Sequence, residues 1–204
     1  MVKRLALVGV FITALTWIIL ARAQDNAADL TRLIEVLQLD AGDIVAEIGA
    51  GNGALTVAIA KHVGPSGRVY TSELPSNLER LRGAVAKSAL GNIQVIEARL
   101  EEANLPEGCC DAVFMRNVYH HFTVPATMNV SFLRSLKPGG RLAIIDFSPR
   151  GKSATAPESR GGNSSHGVNA ETVVNELKAA GFEVTATEER SGRWFLVAAI
   201  KPQK

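Results

Sequence analysis

Val45-Ala46-Glu47-Ile48-Gly49-Ala50-Gly51-Asn52-Gly53-Ala54 is the stretch that decides the fold of this 204-residue chain. An apolar run carrying one acid ends at Ile48, and three glycines follow at alternate positions. The run has the composition of a buried strand, and Ala54 to Val63 that of a helix. A glycine-rich turn between strand and helix lets a ligand approach the backbone, because no Cβ stands in the way and positive φ carries little penalty. The N-terminus of the following helix presents unpaired N–H groups to whatever binds there. This layout implies a nucleotide-type cofactor site and leaves open which cofactor.

Two patterns fit the same residues. Gly49, Gly51 and Ala54 satisfy G-x-G-x-x-G/A, with Glu73 about 20 residues downstream as a ribose-binding acid, which is the dinucleotide fingerprint. Gly49, Gly51 and Gly53 preceded by Glu47 equally read E-x-G-x-G-x-G. That second form resembles motif I of the class I S-adenosylmethionine (SAM) methyltransferases. The flanking sequence has to choose between them.

Downstream, strands and helices alternate. Strands are expected at residues 45–48, 68–72, 93–96, 112–116 and 141–145. Helices are expected at 27–38, 54–63, 78–89, around Met128 to Leu136, and from an Asn169 cap to Ala180, with Gly181 as the terminating residue. Pro138-Gly139-Gly140 reads as the turn that stops the fourth of these helices. Phe182 to Thr187 and Trp194 to Ile200 close the chain as a hairpin. Such alternation predicts a Rossmann-like, doubly wound α/β fold. Its seven-stranded, mostly parallel sheet would carry helices on both faces and a C-terminal antiparallel hairpin. Ligands in such sheets bind beyond the carboxyl ends of the strands, where strand order reverses. The glycine loop, Glu73, Asn117 to His121 and Asp146 therefore fall at the ligand edge. Ser148 to Gly167 breaks the alternation: it is long, rich in Gly, Ser, Arg and Pro, and reads as a mobile lid over the site.

The N-terminus has a separate character. Lys3 and Arg4 precede an apolar stretch from Leu5 to Leu20, and Ala21-Arg22-Ala23 forms an A-x-A-like cleavage site before Gln24. Residues 1–23 thus read as a signal peptide or, if uncleaved, a membrane anchor through residues 5–21. Residues 24–204 form the single exported domain, periplasmic, secreted or tethered. Without residues 1–23 the chain keeps 19 Lys+Arg against 20 Asp+Glu, so its slight positive charge belongs to the targeting segment. No basic patch argues for nucleic acid, and the membrane is expected as a partner only through the N-terminal segment. The two cysteines, Cys109 and Cys110, are adjacent. They read as two small residues before a strand, with a vicinal disulfide or reactive thiol as the alternatives. No Cys/His spacing suggests zinc, and no metal is expected.

Taken in order, Glu47–Gly53, Val69–Glu73, Asp111–Phe122 and Leu136-Lys137-Pro138-Gly139-Gly140-Arg141-Leu142 resemble the class I SAM-dependent methyltransferases over residues 28–201. The last two segments carry most weight, because a nicotinamide-binding domain has no reason to contain them. The resemblance implies SAM as cofactor and a small-molecule methyl acceptor. It also implies that the loop Gly49, Gly51 and Gly53 accommodates the methionine part of SAM, and that Glu47 lies near the loop amides or the ammonium. Glu73 would accept from the ribose hydroxyls. Leu100 would offer its N–H to the adenine ring, and Asn117 its carbonyl or amide to the methionine moiety. Arg99 stands where the family commonly has an acid for the adenine amine, leaving Glu101 or a backbone carbonyl as substitute. His120, His121 and Asp146 are the candidates for proton transfer or acceptor positioning, with Tyr119 and His166 nearby. The alternatives are a SAM- or S-adenosylhomocysteine-binding domain without catalysis and, less favoured, an NAD-binding oxidoreductase.

Overall fold

A computed structural model describes residues 26–152, 156–162 and 165–203. The proposed targeting segment lies outside these residues, and no described helix is long and apolar enough to cross a membrane. Helix α1 (residues 26–37) leads into β1 (Ile44–Ile48), α2 (Ala54–Val63), β2 (Arg68–Glu73), α3 (Pro75–Ser88) and β3 (Ile93–Glu97). The chain continues through β4 (Cys110–Arg116), a 3-10 turn at Tyr119–His121, α4 (Pro125–Ser135) and β5 (Leu136–Phe147). It closes with α5 (Ala170–Ala180), β6 (Glu183–Glu189) and β7 (Trp194–Ile200).

All seven strands form one sheet in the order β3-β2-β1-β4-β5-β7-β6. Strands β1 to β5 are parallel, and β7 runs antiparallel between β5 and β6. The chain first walks outward from β1 to β3, then returns to lay β4 against the other side of β1. That reversal opens a crevice between the carboxyl ends of β1 and β4. Alternation along each strand feeds two apolar layers. Ile48, Val113, Met115, Leu142 and Ile144 pack with Met128 and Phe132 of α4 and Val173 and Leu177 of α5. On the opposite face Val45, Phe114, Ala143 and Ile145 pack with Leu33 and Leu37 of α1 and Leu55, Ile59 and Val63 of α2.

Three local expectations are corrected. Leu136–Gly140 is not a turn outside the sheet but the irregular first part of β5. Leu136 pairs with Cys110 and Arg141 with Ala112, so the Pro-Gly-Gly residues are absorbed by a register shift. Asn169 sits at the α5 cap position without a side-chain capping bond, whereas Gly181 at φ +103° ends the helix by donating to the Leu177 and Lys178 carbonyls. Cys109 and Cys110 are joined in a disulfide, the alternative to two free small residues. In a regular pleat neighbouring side chains point to opposite faces. These two fall where β4 enters the sheet beside the same irregular register, outside that alternation.

Candidate functional site

A cavity of about 760 Å³ occupies the crevice and is walled by the glycine loop, the ends of β2 and β4, and the segments after β3 and β4. Gly49, Gly51 and Gly53 have φ of +69°, +60° and +73°, so every second residue of the loop lies in left-handed backbone that favours glycine. Each glycine nevertheless faces a different neighbour. A Cβ on Gly49 would lie 2.5 Å from Cγ2 of Val118, where the loop after β1 presses on the loop after β4. One on Gly53 would lie 3.0 Å from Leu81 of α3. Gly51 has nothing within 4 Å and lines the cavity. Gly49 is therefore set by packing, and Gly51 leaves backbone open to a ligand.

Two buried acids stand behind this loop. Glu73 ends β2, and its Oε2 accepts from the Gly51 N–H at 2.7 Å while Oε1 accepts from the Leu74 N–H at 2.9 Å. The carboxylate thereby shapes the loop and retains lone pairs toward the cavity it lines. Glu47 ends up almost fully buried between β2 and β4 because its strand is internal, and it too lines the cavity. The Thr56 hydroxyl donates to Glu47 Oε2 and lies 3.0 Å from the Thr71 hydroxyl. Burial pushes the Glu47 carboxyl up to about 8, although the Thr56 hydrogen bond and the nearby Arg116 charge pull the other way.

Asn117 follows β4 at φ +60°, a conformation that asparagine tolerates, and lines the cavity with its N–H bonded to the Ile145 carbonyl at 2.9 Å. Leu100 is 72% exposed and, with the partly exposed Leu74, gives the cavity an apolar rim. Arg99 also lines it, with its guanidinium paired to Glu102. Glu102, rather than the Glu101 expected as a substitute acceptor, is the acid on this wall. Among the wall residues not anticipated are Arg116 and Asn26. Arg116, at the end of β4, holds Asp29 of α1 at 2.9 Å and Asn26 through its other arm. A charged arginine closing an internal, otherwise apolar strand is the sequence signal that could have found it.

The proton-transfer candidates separate. His121 lines the cavity, whereas His120 and Asp146 do not. The 3-10 turn rotates successive side chains apart, so His120 is buried and its neighbour is exposed. Asp146 is fully buried, and its Oδ1 lies 2.8 Å from His120 Nδ1 while Oδ2 accepts from the His120 backbone N–H at 3.1 Å. It holds His120 and reaches no ligand directly. Partial burial, together with the neighbouring His120, holds the His121 pKa below the ordinary value. Tyr119 is buried as well, its hydroxyl donating to Glu176 at 2.9 Å and accepting from Asn129 at 2.7 Å.

The described part of the 148–167 segment does not cover the glycine loop, and none of its residues lines the cavity. It is pinned beside β5 and α5. Arg160 is buried and paired with Glu176, and the Val168 N–H donates to the Phe147 carbonyl at 3.0 Å. His166 lands with its Nε2 3.1 Å from His120 Nε2.

A family model described as "Methyltransferase domain" matches residues 46–144, which hold the glycine loop, Glu73, Asn117 and the histidine pair. Among curated proteins, the ubiquinone/menaquinone biosynthesis C-methyltransferase UbiE of Ectopseudomonas mendocina is 33% identical over 124 residues, 58% of this chain and 47% of that protein. The chain thus spans about half the length of the curated relatives it matches. Among solved structures, a SAM-dependent methyltransferase from Aquifex aeolicus is 25% identical with a TM-score of 0.71, over 84% of this chain and 89% of that one. A Haemonchus contortus phosphoethanolamine N-methyltransferase 2 in complex with SAM shares the fold at 18% identity and a TM-score of 0.72, over 88% and 53% of the two chains.

Proposed function

We propose, for a chain that belongs to the class I SAM-dependent methyltransferase family, that the cavity between β1 and β4 transfers a methyl group to a small-molecule acceptor. The observation that carries this reading is the convergence of an open glycine loop, a buried Glu73 and an apolar rim on one cavity. When bound, SAM supplies a methyl group already activated by its sulfonium, so the protein's task is chiefly alignment. Gly51 offers close backbone approach, and Glu73 has free lone pairs for a pair of ribose hydroxyls. Leu74 and Leu100 offer apolar surface to a flat ring, and Glu102 supplies the acceptor that Arg99 lacks. Asn117, which lines the cavity at the end of β4, would offer its carbonyl or amide to the methionine moiety. His121, kept neutral near pH 7, is the residue placed to take a proton from an acceptor that must lose one. His120 and Asp146 act behind it as positioning residues.

Calorimetric titration of the purified protein with SAM, S-adenosylhomocysteine and NADH tests the reading. Binding of both sulfur ligands without NADH is expected. Binding of NADH alone would overturn it in favour of an oxidoreductase. Binding of SAM without methyl transfer to any of a broad panel of acceptors would favour the non-catalytic alternative.

The N-terminal segment supports a further reading of location, with the domain exported and either released or tethered by residues 1–23. N-terminal sequencing of the mature protein distinguishes the forms. A start at Gln24 means cleavage and a start at Met1 a retained anchor, and recovery of the full chain from the cytosolic fraction would defeat both.

A further inference from the structure

His120, His121 and His166 bring one ring nitrogen each to within 4.8 Å of one another. They come from two segments some 45 residues apart, so no local Cys/His spacing announced them. The His120 and His166 Nε2 atoms are 3.1 Å apart. Two imidazole nitrogens on one tetrahedral ion, each ~2.0–2.1 Å from it, would be separated by ~3.3 Å. That pair is thus within a few tenths of an ångström of the spacing that an ion requires, and the His121 nitrogen, within 4.8 Å of both, has to draw in to complete the set.

The tautomer favours the same use. Asp146 accepts and cannot donate while ionised, so the 2.8 Å contact places the His120 proton on Nδ1 and leaves the Nε2 lone pair facing His166. A buried carboxylate that holds the far nitrogen of a histidine is the arrangement that orients and strengthens imidazole ligands in metal sites. His166 is delivered with equal definition. Gly167 has φ +127°, and a Cβ there would lie 2.6 Å from the Phe147 carbonyl, so this step of the chain requires glycine. The Gly167 N–H donates to the Arg160 carbonyl at 3.2 Å, tying the step to a buried arginine. Phe147 packs 4.7 Å from the His120 ring and 5.3 Å from that of His166, closing one side of the cluster.

We propose that His120, His121 and His166 bind a single divalent transition-metal ion of the zinc class at the edge of the methyl-transfer cavity. Three neutral imidazoles suit such ions and offer little to magnesium or calcium, which take oxygen ligands. His121 and His166 are exposed, so a three-histidine ion here keeps an open coordination position, and His121 places that position beside the cavity. The site does not rest on methyl transfer and is tested without it; with an ion bound, His121 is a ligand and no longer the proton acceptor.

The test uses full-length, tag-free protein stripped with a chelator, titrated with Zn²⁺ alone against a chromophoric competitor, and separately with Co²⁺ followed by its visible absorption. One equivalent per chain is expected, with the intense Co²⁺ bands of tetrahedral coordination. His166→Ala, at an exposed position, is expected to weaken binding at least about tenfold, and Asp146→Asn to weaken it ~10-fold or more through the loss of ligand orientation. His62→Ala is the control: that ring bonds to the Leu39 carbonyl instead, and its loss is expected to change nothing. Absence of stoichiometric binding by the parent would overturn the proposal. So would binding that His166→Ala leaves intact. SAM titration of the same samples reports separately on the cofactor cavity, so failure of one reading is not mistaken for failure of the other.

Discussion

Replacing Glu73 by alanine is expected to lower SAM affinity by about a hundredfold or more while the sheet stays folded. Two charge-assisted hydrogen bonds to ribose hydroxyls are together worth ~3–6 kcal/mol at about 1.5–3 kcal/mol each, and every 1.4 kcal/mol is about tenfold in affinity. The loss is compounded because the same carboxylate fixes the Gly51 N–H at 2.7 Å, so the alanine variant also frees the loop that receives the ligand. Glu73→Gln keeps one acceptor oxygen and should fall between the two. Titration calorimetry measures the affinities, and circular dichroism checks the fold. An alanine variant that bound SAM as tightly as the parent would remove Glu73 from the ribose site.

Glu47 carries the second large effect, and its sign can be worked out. Its folded-state pKa is raised from 4.5 to about 8 by burial, so between those values the folded protein holds a proton that the unfolded chain has released. Stability from this group is therefore complete below pH 4.5 and is lost as pH rises toward 8. The total is on the order of a few kcal/mol. Denaturant unfolding of the ligand-free protein at pH 5 and pH 8 should show a larger decline than the same comparison in Glu47→Gln, which is neutral throughout. Equal declines would sink the prediction. A cationic ligand in the cavity would favour the ionised form, so SAM binding near pH 7 should release a proton. Calorimetry in two buffers of different ionisation enthalpy detects that release.

Much of the site could be read from the chain because strand ends mark the ligand edge of a doubly wound sheet. Gly49, Gly51, Glu73 and Asn117 all reach the cavity by that rule, whereas Gly53 packs beside Leu81 instead and Leu100 follows only from the family resemblance. The rule says which end of a strand matters and nothing about rotation around it. Asp146 ends β5 in the right place yet is fully buried, and one step of a 3-10 turn separates the enclosed His120 from the exposed His121. Glu102 displaced Glu101 for a similar reason, since the segment after β3 has no periodicity from which to infer a face. Leu136–Gly140 was misread because proline and glycine signal a turn locally, whereas the pairing of Leu136 with Cys110 is a property of the neighbouring strand. His166 was placed in a lid over the site. The positive φ of Gly167 and the buried Arg160 instead pin it beside His120, contacts that depend on residues far apart in sequence.

The contact between Gly49 and Val118 has a meaning for the reaction as well as for packing. The loop after β1 belongs to the half of the sheet that would hold the methyl donor. The loop after β4 leads directly to His121, which would face the methyl acceptor in the proposed reaction. With only a hydrogen between Gly49 and Val118, the two halves pack there with no room for a Cβ. A methyl group at residue 49 would act as a shim, widening the gap across which donor and acceptor must line up. In-line displacement tolerates little of that, since a shift of ~1 Å can cost about a hundredfold in rate. Gly49 thus works as a gauge, setting the reach from one half of the site to the other.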